Sequence, residues 1–384
     1  MRRRVPFFLY LAAIVALAGS IAYLGWVRTW ASVHVPAMYP PFADMRAIQG
    51  AVISVEHGFN PRVSNLGDPW RRPFNYPTLW IAIGKTLNLT NNKRFILICT
   101  ALVACFAGIC AFLIFRFPSF GLLASLVSTA TLLGIERGNI DLLVFCLLLP
   151  AALWIPKRWS PMPLLLATLL KLYPVFALSA LFIRRQFRLF AASLAVAVAI
   201  FGYLWDQLAE LRSTTPVYCL ISYGVPSVTA CFAVFRLPTW LLVMTLAEFG
   251  YAMLVLAYYF SKSDAAKPRQ ETEFNLMLVG AAIYIGTFLV VSNWDYRLIF
   301  LILCIPFLQT KPFPLARALI VVILVAMNET LVTYWLRRPG LIVVGLAKLA
   351  IFSVLGAYLL ALAWAALASL HAKPNPVATG SAPN

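Results

Sequence analysis

The stretch LLGIERGNIDLLVF (residues 132–145) places two acids, one base and one amide within a run that is otherwise apolar. A charged side chain at the centre of a bilayer costs about 2.5–3.5 kcal/mol on insertion scales, so such groups usually face a watery cavity or a ligand. These polar groups therefore mark a candidate functional site if the rest of the chain spans a membrane.

The composition is typical of a polytopic membrane protein. Of the 384 residues, 62% are hydrophobic and 11% are charged, and the mean hydropathy is +0.85. Many runs reach the roughly 20 apolar residues that a membrane helix needs. They are continuous, whereas the strands of an outer-membrane barrel would alternate apolar and polar residues. We predict an all-α polytopic membrane protein with roughly 10–12 transmembrane segments.

The formal net charge of +18 does not indicate nucleic-acid binding. Lys and Arg stand in short clusters between the apolar runs, which is the distribution that the positive-inside rule produces. Such clusters gain energy beside anionic headgroups, so we expect membrane lipids as partners and no nucleic acid. The seven cysteines indicate no disulfide framework, although Cys219 and Cys231 share a polar connection in which they could pair.

The order of the apolar runs predicts a single membrane domain, residues 1–371, and a disordered cytoplasmic tail, residues 372–384. Three arginines before the first span, residues 7–26, place the N-terminus in the cytoplasm. Residues 27–76 then form an extracytoplasmic loop, in which ADMRAIQGAVISVEHG has the spacing of an amphipathic helix at the interface. Further spans are expected at residues 77–89, 94–115, 189–205, 239–260, 274–291, 298–308, 315–335 and 341–370.

The segment WIPKRWSPMPLLLATLLKLYPVFALSALFIRRQFR (residues 154–188) presents a topological problem. Both flanks are basic, yet the apolar part is only long enough for one span, which would leave one basic flank outside. Two half-helices meeting at KLYP would keep both flanks in the cytoplasm and lift Lys171 and the ERGNID loop to the outer face. We favour this broken form; the alternative is one kinked span with the ERGNID loop inside.

In the broken form, three polar sets lie on one face of the bundle. They are Asp44 with Arg46 and His57 in the first loop, ERGNID (residues 136–141) and NWDYR (residues 293–297), with Lys171 beside them. A single polar residue at the end of a span often only anchors its helix at the interface. Three sets on one side of a bundle indicate a site.

Motifs of several other chemistries are absent from the sequence. The three histidines are widely separated and no CxxC pair occurs, so no metal-ligand spacing is present. No Gly-rich phosphate loop and no GxSxG elbow occurs either. A carboxylate on an outer loop can take a proton from an attacking hydroxyl, while Arg and Lys hold a leaving phosphate. That set suits transfer of a sugar from a lipid phosphate to an alcohol.

Four segments together resemble glycosyltransferase family 87, in the GT-C superfamily of polyprenyl-phosphate-dependent membrane glycosyltransferases. FADMRAIQGAVISVEHGFNP followed by PFNYPTLWIAIGK resembles the family's opening pattern. ERGNIDLLVF resembles its Arg-Gly-Gln/Asn segment, and LLLATLLKLYPVFALSALFIRR resembles its Lys-x-x-Pro segment. NWDYRLIFL resembles a late polar loop, so the resemblance covers about residues 7–310.

The resemblance implies a GT-C-like bundle in the plasma membrane, with an extracytoplasmic active site and no cofactor besides the lipid-linked donor. It implies that Asp44 is the general base and that a hydroxyl of a glycolipid or glycan displaces polyprenyl phosphate with inversion. Mannose is the expected sugar, because the family includes bacterial α-mannosyltransferases. The expected substrate-binding residues are Arg46, His57, Tyr76, Glu136, Arg137, Asn139, Asp141, Lys171, Tyr173, Asn293, Asp295 and Arg297.

Each candidate residue also has a structural interpretation. Asp44 could cap the interfacial helix, and Arg137 and Lys171 could form buried ion pairs with Glu136 or Asp141. Two other functions also stay open. One is a transporter or flippase of a lipid-linked sugar, although the internal repeats typical of transporters are not evident in the sequence. The other is a non-catalytic partner in assembly of the cell envelope.

Overall fold

The computed structural model describes residues 4–155, 157–263, 271–311 and 314–371. The predicted tail at residues 372–384 and most of the basic connection at residues 261–273 lie outside this described part. Within it the chain is predominantly helical, in agreement with the all-α prediction.

Nine α-helices form the first part of the described chain. They are α1 (Val5–Leu24), α2 (Trp26–Ser32), α3 (Ala43–Glu56), α4 (Leu79–Thr86), α5 (Asn92–Arg116), α6 (Phe120–Leu126), α7 (Thr129–Arg137), α8 (Asp141–Trp154) and α9 (Pro161–Leu170). Gly25, whose φ is 79°, turns the backbone between α1 and α2. The helix α2 falls where the sequence predicts a polar connection. Helix α2 is stabilised by an edge-to-face contact between Trp26 and the buried Trp30, whose ring centroids are 5.4 Å apart.

The second part adds further helices and a short β ladder. Its elements are a 3-10 helix (Tyr173–Leu178), α10 (Ser179–Ile183), α11 (Phe187–Tyr203), α12 (Trp205–Thr214), β1 (Ser222–Tyr223), α13 (Val225–Val234), α14 (Thr239–Lys262), α15 (Thr272–Val290), β2 (Asn293–Trp294), a second 3-10 helix (Asp295–Cys304), α16 (Ile305–Gln309), α17 (Pro314–Met327), α18 (Glu329–Leu336) and α19 (Arg338–His371). The antiparallel ladder pairs Ser222 with Trp294 and Tyr223 with Asn293. Two residues per strand are too few for a strand pattern to show in the sequence.

Within the described residues, six helices are long and apolar enough to cross a membrane, judged by length and composition. They are α1, α5, the α6–α7 unit Phe120–Arg137, α14, α15 and α19. The pair α11 and α12 is bent by 73° and the pair α17 and α18 by 80°, and counting each pair as one span gives eight. The larger number predicted from the sequence included residues 77–89, which form only the 8-residue α4, and the half-helices of residues 154–188, of which α9 has 10 residues.

Two of the predicted spans are not continuous α-helices. Residues 298–308 lie mostly in the second 3-10 helix, and residues 315–335 are interrupted between α17 and α18. At this interruption Asn328 Nδ2 donates to Leu324 O at 2.8 Å, and Thr129 N donates to Asn328 Oδ1 at 3.2 Å. Side-chain amide bonds of this kind compete with the helical backbone, so a helix can end at such a residue.

The segment with two basic flanks is broken at Lys171. Helix α9 ends at Leu170, Lys171 is extended with φ −159° and ψ 115°, and the chain continues as the first 3-10 helix. Arg158 from one flank and Arg185 and Arg188 from the other line one cavity of about 640 Å³. Both basic flanks therefore lie at the same end of the bundle, as the broken form requires.

Helix α15 connects the two ends of the bundle. Near its start, Asn275 Nδ2 donates to Ile155 O at 2.9 Å, close to the basic cavity. Just beyond its last residue, Asn293 accepts a hydrogen bond from Arg297 Nη1. Its 19 residues are about 28 Å long, close to the thickness of a bilayer's hydrocarbon core. Arg297 and the basic cavity consequently lie at opposite ends of one buried spanning helix.

Helix α3 is enclosed by protein, whereas the sequence predicts an amphipathic helix at the membrane interface. Ten of its 14 residues are buried, and its neighbours include α4 and α7. The loop that follows it crosses at Gly50 and Gly67, where the two backbones touch. A Cβ added to Gly50 would lie 2.3 Å from Asp68 N, so a larger residue cannot be accommodated without a shift. This contact fixes the loop against the first turns of α3.

Candidate functional site

The carboxylate of Asp44 lies in the first turn of α3 and bonds to residues from two other segments. Asn139 Nδ2 donates to Asp44 Oδ2 at 2.5 Å, and Arg72 Nη1 pairs with Asp44 Oδ1 at 3.2 Å. The N-cap position of α3 is held by Phe42, and Asp44 makes no capping bond to its own helix. The side chain of Asp44 is 14% exposed, so the carboxylate is fixed by its partners and still reachable.

Arg72 is a site residue that the sequence reasoning missed. Asp68 accepts three bonds from Arg72, from the backbone N at 2.9 Å, from Nε at 3.1 Å and from Nη2 at 3.0 Å. Arg72 Nη2 also donates to Ala43 O. Burial alone would lower the pKa of Arg72, but the bonds to Asp68 and Asp44 outweigh it and raise the pKa. Asp68 and Arg72 stand four residues apart in the loop, which is the spacing of an ion pair on a helix. The sequence predicts no helix over these residues, so the pair was not recognised from the spacing.

Asp141, at the start of α8, is the second carboxylate of the site. Lys171 Nζ lies 2.5 Å from Oδ1, the hydroxyl of Tyr173 donates to the same oxygen at 2.7 Å, and Arg297 Nε lies 3.2 Å from Oδ2. Asp141 is fully buried, whereas the side chains of Lys171 and Arg297 are 12% and 11% exposed. One carboxylate thus holds two cations, and this group carries a net positive charge.

Asn139 joins the two carboxylates. Its Nδ2 donates to Asp44, while its Oδ1 accepts from Lys171 Nζ at 3.3 Å and from the backbone N of Asp141 at 2.8 Å. The residue before it, Gly138, has φ 57° and ends α7. A Cβ at Gly138 would lie 3.0 Å from the side chain of Phe42, so glycine permits both the turn and the close packing.

Two tyrosines border the cations. Lys171 Nζ lies 5.3 Å from the ring centre of Tyr76, and Arg297 Cζ lies 4.5 Å from the ring centre of Tyr173. Contacts of this kind attract a cation electrostatically, most strongly where water is excluded. Burial raises the pKa of Tyr76, so its phenol is neutral at physiological pH. Both tyrosines were predicted site residues, and the structure places both beside the site.

Glu136 and Arg137, which the sequence predicted to bind substrate, instead contact the connection between α2 and α3. Glu136 Oε1 accepts from Met38 N at 2.7 Å and from Trp26 Nε1 at 3.3 Å. Arg137 Nη1 lies 3.0 Å from Glu136 Oε2, and Arg137 Nη2 donates to Pro36 O at 3.2 Å. The two side chains form the structural ion pair that was the alternative interpretation.

Arg46 and His57 do not join Asp44, so the predicted grouping of these three residues is wrong. Arg46 donates to Pro41 O at 2.9 Å and to Gln49 Oε1 at 3.1 Å, and His57 lies about 20 Å from Asp44 along α3. The grouping failed because residues two apart on a helix point in different directions and residues 13 apart are remote.

The NWDYR segment divides between two places. Arg297 reaches Asp141, and Asn293 accepts from Arg297 Nη1. Asp295 points elsewhere, with Oδ1 2.7 Å from Lys348 Nζ in α19. Residues two apart in a 3-10 helix of three residues per turn face different sides, which explains the division.

No protein-family model, curated protein or solved structure matches the chain. Among the residues that the structure describes, no group of three or more His, Cys, Asp or Glu side chains could hold a metal ion. The site presents the partly exposed carboxylate of Asp44, which is bonded to Arg72 and linked through Asn139 to Lys171, with Arg297 on the neighbouring carboxylate of Asp141. Such a set can bind an anion and accept a proton from a neighbouring hydroxyl.

Proposed function

We propose that the chain is a membrane glycosyltransferase that moves a hexose, with mannose expected, from polyprenyl phosphate to a hydroxyl of a glycolipid or glycan. The observation that carries this proposal is the connected set of Asp44, Asn139 and the three cations at the end of the bundle opposite the basic cavity. Sugar transfer from a lipid phosphate requires a carboxylate base and, in the same site, cations that bind the phosphate.

In the proposed reaction, Asp44 takes the proton of the acceptor hydroxyl as its oxygen bonds to the anomeric carbon. The bond from that carbon to the phosphate oxygen breaks, and its electron pair leaves with polyprenyl phosphate. The phosphate group gains one negative charge in this step, from a diester to a monoester. Arg72, Lys171 and Arg297 would stabilise that charge as it develops. Attack from the face opposite the phosphate gives inversion.

The environments of the two acids support different roles for them. Asp141 is fully buried and bonded by three side chains, so it suits a counter-ion that holds Lys171 and Arg297 in place. Asp44 is more exposed, and two side chains bond to it. A general base must reach the substrate proton, which favours Asp44 for that role.

Two features support an extracytoplasmic site. Arg158, Arg185 and Arg188 line the cavity at the opposite end of the bundle, and the positive-inside rule favours the cytoplasm for that end. Cys219 and Cys231, whose pairing the sequence left open, form a disulfide next to β1. Disulfides persist mainly in oxidising compartments, which favours the outer face for the end where β1 and the site lie.

Transfer of radiolabelled sugar from polyprenyl phosphates tests the proposal, in membranes that contain wild type or Asp44→Asn. Loss of a general base should lower the rate by about 10²–10⁴-fold. Glu56→Gln, an exposed acid at the far end of the same helix, is the matched control and should keep wild-type transfer. Equal transfer by wild type and Asp44→Asn at equal abundance would exclude Asp44 as the base.

The second candidate function is a transporter or flippase of a lipid-linked sugar. The helix broken at Lys171 and the two bent helix pairs favour it, because transporters bind substrates at discontinuous helices. Translocation of a labelled lipid-linked sugar across reconstituted vesicles tests this function. Translocation that persists in Asp44→Asn, with no sugar transfer by wild type, would support the transporter instead.

A further inference from the structure

A second buried ionic centre lies between the ladder, α18 and α19. Lys348 Nζ lies 2.7 Å from Asp295 Oδ1, donates to Ser222 O at 2.9 Å and also contacts Glu329 Oε2. Asp295 is 2% exposed, and Glu329 and Lys348 are each 5% exposed. Of these three residues only Asp295 was predicted from the sequence, because Glu329 and Lys348 lie in apolar helices far along the chain.

The charges of this centre do not balance when every group is in its ordinary ionised state. Two carboxylates and one ammonium carry a net charge of −1. An uncompensated charge with no access to water is costly, and a buried group usually takes up a proton before it pays that cost. One proton on either acid makes the centre neutral.

The hydrogen bonds distinguish the two acids. Glu329 accepts from Ile221 N at Oε1, at 2.7 Å, and contacts Lys348 at Oε2, so both of its oxygens face a donor. Asp295 Oδ1 faces Lys348, but Asp295 Oδ2 is buried and has no hydrogen-bond partner among the described residues. The Lys348 ammonium bridges the two carboxyl groups, 2.7 Å from Asp295 Oδ1 and in contact with Glu329 Oε2. A proton is therefore least costly on Asp295, because its Oδ2 lacks the donor that a buried ionised carboxylate oxygen requires.

We propose that this centre is a proton-binding site in which Asp295 is a neutral carboxylic acid and Glu329 is the ionised partner of Lys348. The proton removes the excess charge from the acid whose second oxygen has no donor among the described residues. The site is separate from the proposed sugar transfer and does not depend on it.

The other titratable groups near this centre do not supply the missing charge. They are the phenols of Tyr223 and Tyr284 and the guanidinium of Arg297. Tyr284 donates its hydroxyl to the backbone oxygen of Lys348 at 2.8 Å, and the hydroxyl of Tyr223 lies 3.1 Å from Thr287 Oγ1. Arg297 is bonded to Asp141 and Asn293 in the candidate site, and among the described residues no hydrogen bond or ion pair joins it to Asp295, Glu329 or Lys348. The neutralising group is therefore a proton within the centre.

The proton has a consequence for the candidate site. Asp295 N donates to Ile221 O at 3.0 Å, and Asp295 directly follows β2, whose Asn293 accepts from Arg297. The centre thus fixes the segment that sets Arg297 against Asp141. Loss of the proton would leave a buried net negative charge next to this segment.

Infrared difference spectroscopy of the purified chain in lipid nanodiscs tests the proposal. The carbonyl stretch of a protonated carboxyl, which shifts in D2O, should be present in wild type at neutral pH and lost in Asp295→Asn. It should also be lost in Glu329→Gln, because Asp295 would then ionise to balance Lys348. Glu271→Gln, at a half-exposed ion pair with Lys311, is the matched control and should leave the band unchanged.

Thermal unfolding provides a second readout that a purely structural role would not give. A buried acid that keeps its proton makes the wild type less stable as the pH rises, since the folded state binds more protons than the unfolded state. Asp295→Asn cannot ionise, so its Tm should equal or exceed that of wild type at neutral pH, and the difference should grow with pH. The absence of a protonated-carboxyl band in wild type, or its persistence in Asp295→Asn, would overturn the proposal.

Discussion

At the scale of single residues, Asn139 joins the carboxylate of Asp44 to the group of Lys171 and Asp141. Its amide nitrogen bonds to Asp44 and its amide oxygen accepts from Lys171, so it orients a carboxylate and an ammonium at once. A carboxylate in this position would repel Asp44, and an alkyl group would remove one hydrogen bond from each partner. The amide is suited to the position because it is neutral and both donates and accepts.

Asn139→Ala should lower sugar transfer by roughly 5–100-fold, because a lost bond to a charged, buried partner costs about 1–3 kcal/mol. Asn92→Ala, at an exposed position in the first turn of α5, should leave transfer unchanged. Initial rates at saturating donor measure the effect. Wild-type rates in Asn139→Ala would show that the link between Asp44 and Lys171 is dispensable.

Arg72→Lys should behave like a loss of the residue, although it keeps the charge. The planar guanidinium bonds Asp68 at two atoms and also reaches Asp44, which one ammonium cannot reproduce. We expect at least a tenfold loss of transfer, about 1.4 kcal/mol, with Arg71→Lys as the exposed neighbouring control. Full activity in Arg72→Lys would reduce the role of Arg72 to its charge.

At the scale of elements, the site depends on where α3 and its following loop touch. The loop supplies Asp68 and Arg72, and α3 supplies Asp44. The two come together because neither Gly50 nor Gly67 has a side chain at the crossing. The helix itself was predicted from spacing, but its enclosure by α4 and α7 was not, since spacing does not report what covers a helix.

Gly50→Ala should therefore move the loop and separate Arg72 from Asp44. A methyl group would lie 2.3 Å from Asp68 N, and overpacking against a backbone typically costs about 1–3 kcal/mol. Gly108→Ala, in α5 with no heavy atom within 4 Å of the added carbon, should be neutral or slightly stabilising. Thermal unfolding and sugar transfer measure both variants, and equal behaviour of the two would contradict the crossing as the cause.

At the scale of the whole molecule, polar groups collect at the two ends of a helical bundle. Arginines from both flanks of residues 154–188 line a cavity at one end, and the carboxylates and their cations lie at the other. Helix α15 joins the ends and is buried over most of its length. The break at Lys171 allows both basic flanks to return to one end.

This arrangement predicts the accessibility of single cysteines. Arg158→Cys and Arg185→Cys should react with a membrane-impermeant maleimide only in inverted vesicles. Glu56→Cys, at the last residue of α3 in the predicted extracytoplasmic loop, should react in intact cells. Labelling of Arg158→Cys and Arg185→Cys from opposite sides would support one kinked span in place of the broken helix.

The sequence by itself determined the class of protein, most of the long helices and several residues of the site. Long apolar runs leave few alternatives to membrane helices, and basic flanks together with Pro174 made a break at KLYP the favoured form. Asn139, Asp141 and Lys171 stood out because polar groups are costly within such runs, whereas Asp44 and Arg297 were predicted from polar loops beside the spans. That cost is a local property, and so it can be read from the sequence.

Only the tertiary structure decided which polar groups meet. It brought Arg72 to Asp44, turned Arg46 away and placed Asp295 with Glu329 and Lys348, residues 34 and 53 positions further along the chain in two other helices. Such pairings depend on the rotation of each helix and on the contacts between helices. Local spacing fixes neither of these. It therefore does not show whether a polar side chain in an apolar helix contacts a substrate, a counter-ion or a proton.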